Sequence, residues 1–170
     1  MDYSLSICNA LHDDHMMTVG MLEKLEATLM RIGRKAPPTA DNPDLDRLLT
    51  DLVAIMQSEI SSHFSFEEEH LFPLIEEMGE IPMVMMLRDE HNTIRPLAEK
   101  VTALVKTART DGFTEESWAE LYDLGLELSE RETFHIQKEE MGFLPLLDQL
   151  IDPDDAAELE MTFAEAKAAG

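Results

Sequence analysis

The stretch Asn42–Gly79, NPDLDRLLTDLVAIMQSEISSHFSFEEEHLFPLIEEMG, reads as one long helix with both ends marked. Asn42 followed by Pro43 is a capping side chain ahead of a proline at the first helical position. Gly79 is the expected stop. Between them Leu48, Leu52, Ile55, Met56, Phe66 and Leu74 recur at helical spacing and form the inward side. His63 and Glu67 stand four residues apart, so they lie on one face, one turn from each other.

Upstream, a first helix is predicted from Leu5 to Arg34, with Leu11, His15, Val19, Leu22, Leu29 and Ile32 on one stripe. Gly33 and then Pro37-Pro38 end it. Downstream, Pro82 opens a third helix that reaches Thr110 before Asp111-Gly112 breaks it. Thr114 caps a fourth, running to Ile151. Short connections force neighbouring helices to be antiparallel. The expected fold is therefore all-α: an antiparallel up-down-up-down four-helix bundle over 1–151. A short fifth helix over 152–170, opened by Asp152-Pro153, is expected to pack on the outside of the same domain or fray. Pro73, Pro96 and Pro145 each remove a backbone hydrogen bond and are predicted to kink or interrupt their helices locally.

The chain repeats itself. His63-Phe-Ser-Phe-Glu67-Glu68, with Pro73-Leu74 following, matches His135-Ile-Gln-Lys-Glu139-Glu140, with Pro145-Leu146 in the same register. Leu11 and His15 match Leu87 and His91, each histidine preceded by an acidic residue. Each half thus supplies a lone histidine and, further on, a His-xxx-Glu pair. One such pair on an acidic helix is commonly a surface ion pair; chance has more difficulty with the repeat. Four imidazoles (His15, His63, His91, His135) and two carboxylates (Glu67, Glu139) directed at one bundle axis suit iron, zinc or manganese better than calcium or copper(I). Two carboxylates between two histidine pairs suggest two metals bridged by Glu67 and Glu139. Each metal then has room for an oxo or hydroxo bridge and an exogenous ligand.

Four further side chains are candidates to stand behind these ligands. His12 lies three residues before His15, His70 three after Glu67, and Glu59 one turn before His63; the fourth is Arg95. Glu68 and Glu140 turn about 100° away from their neighbours and are expected to face solvent or an adjoining helix. Trp118, Phe64, Phe66 and Phe134 are expected to keep the site dry. The methionines, including the Met-Val-Met-Met run at 83–86, are expected to fill core space rather than to bind a soft metal.

Composition narrows the function classes. The 170 residues carry 13 Lys+Arg against 36 Asp+Glu, a formal net charge of −23. Such a surface repels nucleic acid and anionic membranes, and no apolar run has the length of a membrane span. Cys8 is the single cysteine, which excludes an intrachain disulfide and suits a reducing compartment. The opening MDYSLSICNAL lacks the features of a signal peptide, so a cytoplasmic location is expected.

The pattern H…HxxxE…H…HxxxE, with HFxxEE and a following FPL or LPL, resembles the hemerythrin-like (HHE cation-binding) family from about Leu11 to Leu147. The resemblance implies a four-helix bundle with a carboxylate-bridged di-iron site. His15, His63, His91 and His135 would be terminal ligands, and Glu67 and Glu139 bridges. One position departs from the family's oxygen carriers, which have a further histidine four residues after the one on the third helix; here it is Arg95. That puts simple reversible dioxygen carriage in doubt. Three functions are expected candidates. The first is binding or sensing of dioxygen, nitric oxide or peroxide, with or without a protein partner. The second is enzymatic reduction of peroxide or nitric oxide, or supply of iron for repair of iron centres. The third is iron buffering.

Overall fold

The computed structural model describes residues 3–38 and 42–169 and is helical throughout, with no strand among those residues. Helix α1 spans Ser6–Ile32. The second helix, α2, covers 43–77 and changes pitch along its length. It is α-helical over Pro43–Ser58, Phe64–Phe66 and Phe72–Glu77, and π-helical over Glu59–His63 and Glu67–Leu71. Helix α3 is Ile81–Asp111. Helix α4 covers 115–150, with a π turn at Glu139–Phe143 between Glu115–Lys138 and Leu144–Leu150. Helix α5 is Pro153–Ala169.

The helix ends follow the local chemistry of the sequence. The Asn42 side chain accepts the Leu45 N–H at 3.2 Å. Thr114 and Ser117 cap α4 reciprocally, each side chain taking the other's backbone N–H. Gly33 and Gly112 end α1 and α3 at φ 83° and 80°, a region that L side chains rarely adopt. Asn42→Ala is expected to cost about 1 kcal/mol of stability, read as a lower urea midpoint at unchanged slope.

Four helices pack in a ring, α1 on α2, α2 on α3, α3 on α4 and α4 back on α1. The fifth helix is neither short nor loose. Its 17 residues lie against α1 and the first π turn of α2, with Phe163 buried and Lys167 ion-paired to Asp14 at 2.6 Å.

Two apolar clusters fill the bundle. One gathers Leu22, Leu25, Leu29, Leu52, Met56, Phe64, Val101 and Trp118 with their neighbours. The other gathers Ile7, Leu11, Phe72, Leu87, Phe143 and Leu147 with theirs. On every helix of the ring the changeover from one cluster to the other falls at the histidine positions. A buried polar layer is therefore sandwiched between two dry ones.

The prolines act unequally. Pro73 and Pro145 each open the α-helical segment after a π turn. There the Phe72 and Leu144 amides bond to Glu67 and Glu139 five residues back. Pro96 sits inside α3, which runs unbroken through it. The third π turn, at Glu59–His63, has no proline. A π turn carries one residue more than an α turn and rotates the residues beyond it. Beyond the π turns the inward side predicted at uniform pitch is shifted, with Leu74 half-buried and Phe72 and Ile75 in the core. Ahead of them, in the regular α-helical part, Leu48 and Ile55 are half-buried and Leu49 and Val53 take the core positions. Met85 and Met86 are exposed at 58% and 40%, so this part of the methionine run does not fill the core. Among the described residues, no helix is long and apolar enough to cross a membrane.

Candidate metal centre

The π turns and the ring of helices bring His15, His63, Glu67, His91, His135 and Glu139 together, none more than 1% exposed. The imidazoles meet in pairs. His15 Nε2 lies 3.2 Å from His63 Nε2, and His91 Nε2 lies 3.0 Å from His135 Nε2. The two glutamates lie between the pairs. Glu67 puts Oε1 3.3 Å from His63 Nε2 and Oε2 3.4 Å from His91 Nε2. Glu139 puts Oε2 3.1 Å from His15 Nε2 and Oε1 3.1 Å from His135 Nε2. Each carboxylate thus offers one oxygen to each pair. Two groups that could hold a metal ion result, His15-His63-Glu67-Glu139 and Glu67-His91-His135-Glu139, and in each the donor atoms lie within 4.8 Å of one another.

The outer nitrogen of every imidazole is held by a carboxylate from an adjoining helix. His15 Nδ1 is 2.7 Å from Glu140, His63 Nδ1 2.8 Å from Asp14, His91 Nδ1 2.9 Å from Glu68, and His135 Nδ1 3.0 Å from Glu90. A carboxylate there accepts the Nδ1 proton and fixes the tautomer that leaves a lone pair on Nε2. Each carboxylate in turn has its own donor. Lys167 bonds Asp14, Arg95 bonds Glu68 at 2.8 Å, Lys138 bonds Glu90, and Glu140 receives both His12 at 2.8 Å and the Tyr3 hydroxyl at 3.2 Å. The sequence carries this pattern as an acidic residue before each lone histidine and as the doublets Glu67-Glu68 and Glu139-Glu140. The sequence shows Asp14 and Glu90 beside their histidines but gives them no role, because an acidic residue is unremarkable in so acidic a chain.

The other predicted positions divide. Glu59 is buried, and its Oε2 accepts the Thr18 hydroxyl at 2.9 Å. Arg95 turns outward to Glu68 and to the Ile60 carbonyl, with its guanidinium over the Phe64 ring. His70 is exposed and packs against Phe66, and no hydrogen bond among the described residues ties it to the cluster. Phe64 stacks on His91 at 3.8 Å and 10°, and Phe72 packs on the same ring at 5.4 Å. Phe163 of α5 meets His63 edge-on at 5.6 Å. Phe134, expected to shield the site, is 54% exposed, and Trp118 is buried in the apolar cluster that holds Leu25 and Leu29, donating to the Gly33 carbonyl at 2.9 Å.

Both oxygens of Glu67 and of Glu139 lack any hydrogen-bond partner, because the close imidazole approaches do not have hydrogen-bond alignment. Two buried carboxylates without donors, facing imidazole lone pairs 3.0–3.2 Å apart, form an arrangement that a cation relieves and that packing alone penalises. Nitrogen and carboxylate donors without sulfur suit iron, zinc or manganese. The residues present therefore fit a pair of metal ions.

In the metal-free chain protons compete for this site. Burial pushes the His15 imidazole down, but Glu139 and Glu140 outweigh it and raise it to about 9. Burial and Glu139 push the Glu67 carboxyl up, yet its imidazole neighbours leave it lowered. Asp14 is held at about 2 against its burial by His63 and Lys167. Glu132 goes the other way: burial, then the charge of Glu59, push it up to about 8. The raised groups stabilise the fold most fully below their unfolded values, near 6.5 for histidine and 4.5 for glutamate. That stability is lost as pH rises through about 8 to 9. The metal-free protein is expected to lose about 5 °C or more in melting temperature between pH 6 and pH 9. The loaded protein should gain stability over the same interval, since metal binding displaces those protons. Parallel melting profiles for the two forms would contradict this.

A family model for the hemerythrin HHE cation-binding domain matches residues 6–147. The chain belongs to that family, and its helical bundle and buried His/Glu clusters are those of a metal-binding protein. No curated protein matches the chain. Helix α5, which closes over His63, lies beyond the matched residues.

Proposed function

We propose that the chain is a non-haem di-iron protein that binds or senses dioxygen, nitric oxide or peroxide at a site bridged by Glu67 and Glu139. One observation carries the reading: each of these carboxylates presents one oxygen to the His15-His63 pair and the other to the His91-His135 pair. A pair of ferrous ions would supply the electrons and open coordination positions that such small ligands require. The protein's part is to hold four imidazoles in one tautomer, to share two anionic carboxylates between two cations, and to exclude bulk water with Phe64, Phe72 and Phe163. The reading includes an up-down-up-down antiparallel order of α1–α4, consistent with Thr18 meeting Glu59 while His15 meets His63. It also includes a reducing cytoplasm as the compartment, in which the lone Cys8 stays a thiol.

Position 95 bears on which use the site has. Its arginine donates nothing inward and instead fixes Glu68, and through it His91. The test is to load the chain anaerobically with Fe²⁺ and follow its visible absorption on adding dioxygen, nitric oxide or hydrogen peroxide. Stoichiometric, retained binding supports the sensing or binding reading. Multiple turnover of peroxide or nitric oxide would make it an enzyme instead, and release of the iron on oxidation would make it a buffer.

A further inference from the structure

The layer beside the six convergent residues contains two more buried carboxylates, and only one of them has a partner. Glu59 is 3% exposed and takes the Thr18 hydroxyl. Glu132 is 0% exposed, and neither of its oxygens has a donor. Glu132 stands one turn before His135 and two turns before Glu139 on α4, so all three share one face of that helix. Buried polar atoms in folded proteins are almost always paired, so a fully buried carboxyl group with no partner marks a place where one is missing.

The neighbouring helix leaves the place open. Arg95 lies one turn beyond His91 on α3 and so belongs to the same layer, but its guanidinium is engaged outward with Glu68, the Ile60 carbonyl and the Phe64 ring. Ile94, the other α3 residue at this level, is buried and apolar. No donor from α3 therefore reaches the interior there, and the unpartnered inward group is Glu132.

We propose that Glu132 is an additional terminal ligand to the metal ion held by His91 and His135, supplying from α4 the coordination position that α3 leaves empty. The inference rests on the bridged two-metal reading and deepens it. The two metal positions become unequal, one with two imidazoles and two bridging oxygens, the other with a further carboxylate. An anionic oxygen donor in place of an imidazole is the harder ligand and favours the ferric over the ferrous state. It also leaves that ion less room for an exogenous ligand, so small molecules bind at the His15-His63 side.

The test compares the wild-type chain with Glu132→Gln, close in shape, and Glu132→Leu. Uptake of Fe²⁺ under anaerobic conditions, and of Zn²⁺ in competition with a chelator, gives two affinities for each protein; melting is recorded with and without metal. The expected result is that one of the two equivalents weakens about 10-fold or more in both variants while the other is unchanged. The metal-free Glu132→Leu variant should melt at or above the wild-type temperature, because an unpaired buried polar group has been replaced by an apolar one. Two unchanged affinities in both variants would overturn the assignment of Glu132 and leave the bridged site standing. A wild-type chain that takes up fewer than two ions would overturn both.

Discussion

Glu139→Ala is expected to abolish tight binding at both metal positions, not one. Its two oxygens lie 3.1 Å from imidazole nitrogens of opposite pairs, so its removal takes a ligand from each ion at once. Loss of an outer hydrogen-bond partner typically weakens metal affinity about 10–100-fold, and loss of a shared ligand should exceed about 100-fold at both sites. The variant should still fold, since the two apolar clusters on either side of the site are untouched. Metal content after desalting and a circular dichroism spectrum measure the two halves of the prediction. Retention of one tightly bound ion would show that Glu139 serves a single metal and that the bridged arrangement is wrong.

Phe64→Ala is expected to have the largest effect on stability. The ring is fully buried, belongs to the apolar cluster above the site and stacks on His91 at 3.8 Å. Truncating such a phenylalanine typically costs about 3–5 kcal/mol, which for a chain of this size lowers the melting temperature by roughly 6–20 °C. Phe134→Ala is the matched control, since that ring is 54% exposed; its effect should stay within about 0.5 kcal/mol. Equal effects at the two positions would contradict the burial pattern. Loss of the stack should also let the His91 ring turn, so the loaded Phe64→Ala protein should release metal faster as well as melt lower.

The helices are legible in the sequence because their ends carry local signals. Asn42-Pro43, Gly79, Thr114 and Asp111-Gly112 act within a few residues, and the structure ends or begins a helix within a residue or two of each. Facing residues along α2 are less legible. Periodicity at 3.6 residues per turn cannot anticipate the π turns at Glu59–His63 and Glu67–Leu71, and each shifts the core side of the helix beyond it. The histidines and the two glutamates stand out because the chain repeats them in register. The carboxylates behind them do not, because Asp14 and Glu90 gain their role only from contacts between different helices. Glu132 has no repeat partner at all, since the equivalent turn of α2 offers Glu59 one residue out of register. Phe163 and Lys167 lie on a helix whose docking the sequence leaves open, and their contacts with His63 and Asp14 depend on where α5 comes to rest.

The most direct measurement is an anaerobic Fe²⁺ titration of the metal-free chain, with iron and protein quantified on the same sample after removal of free metal. Two irons retained per chain, lost together in Glu139→Ala, is the result expected of a site in which Glu67 and Glu139 are shared between two ions. A folded chain that retains one iron or none would contradict it, because the paired imidazoles and donorless carboxylates would then be without the cations that account for their burial.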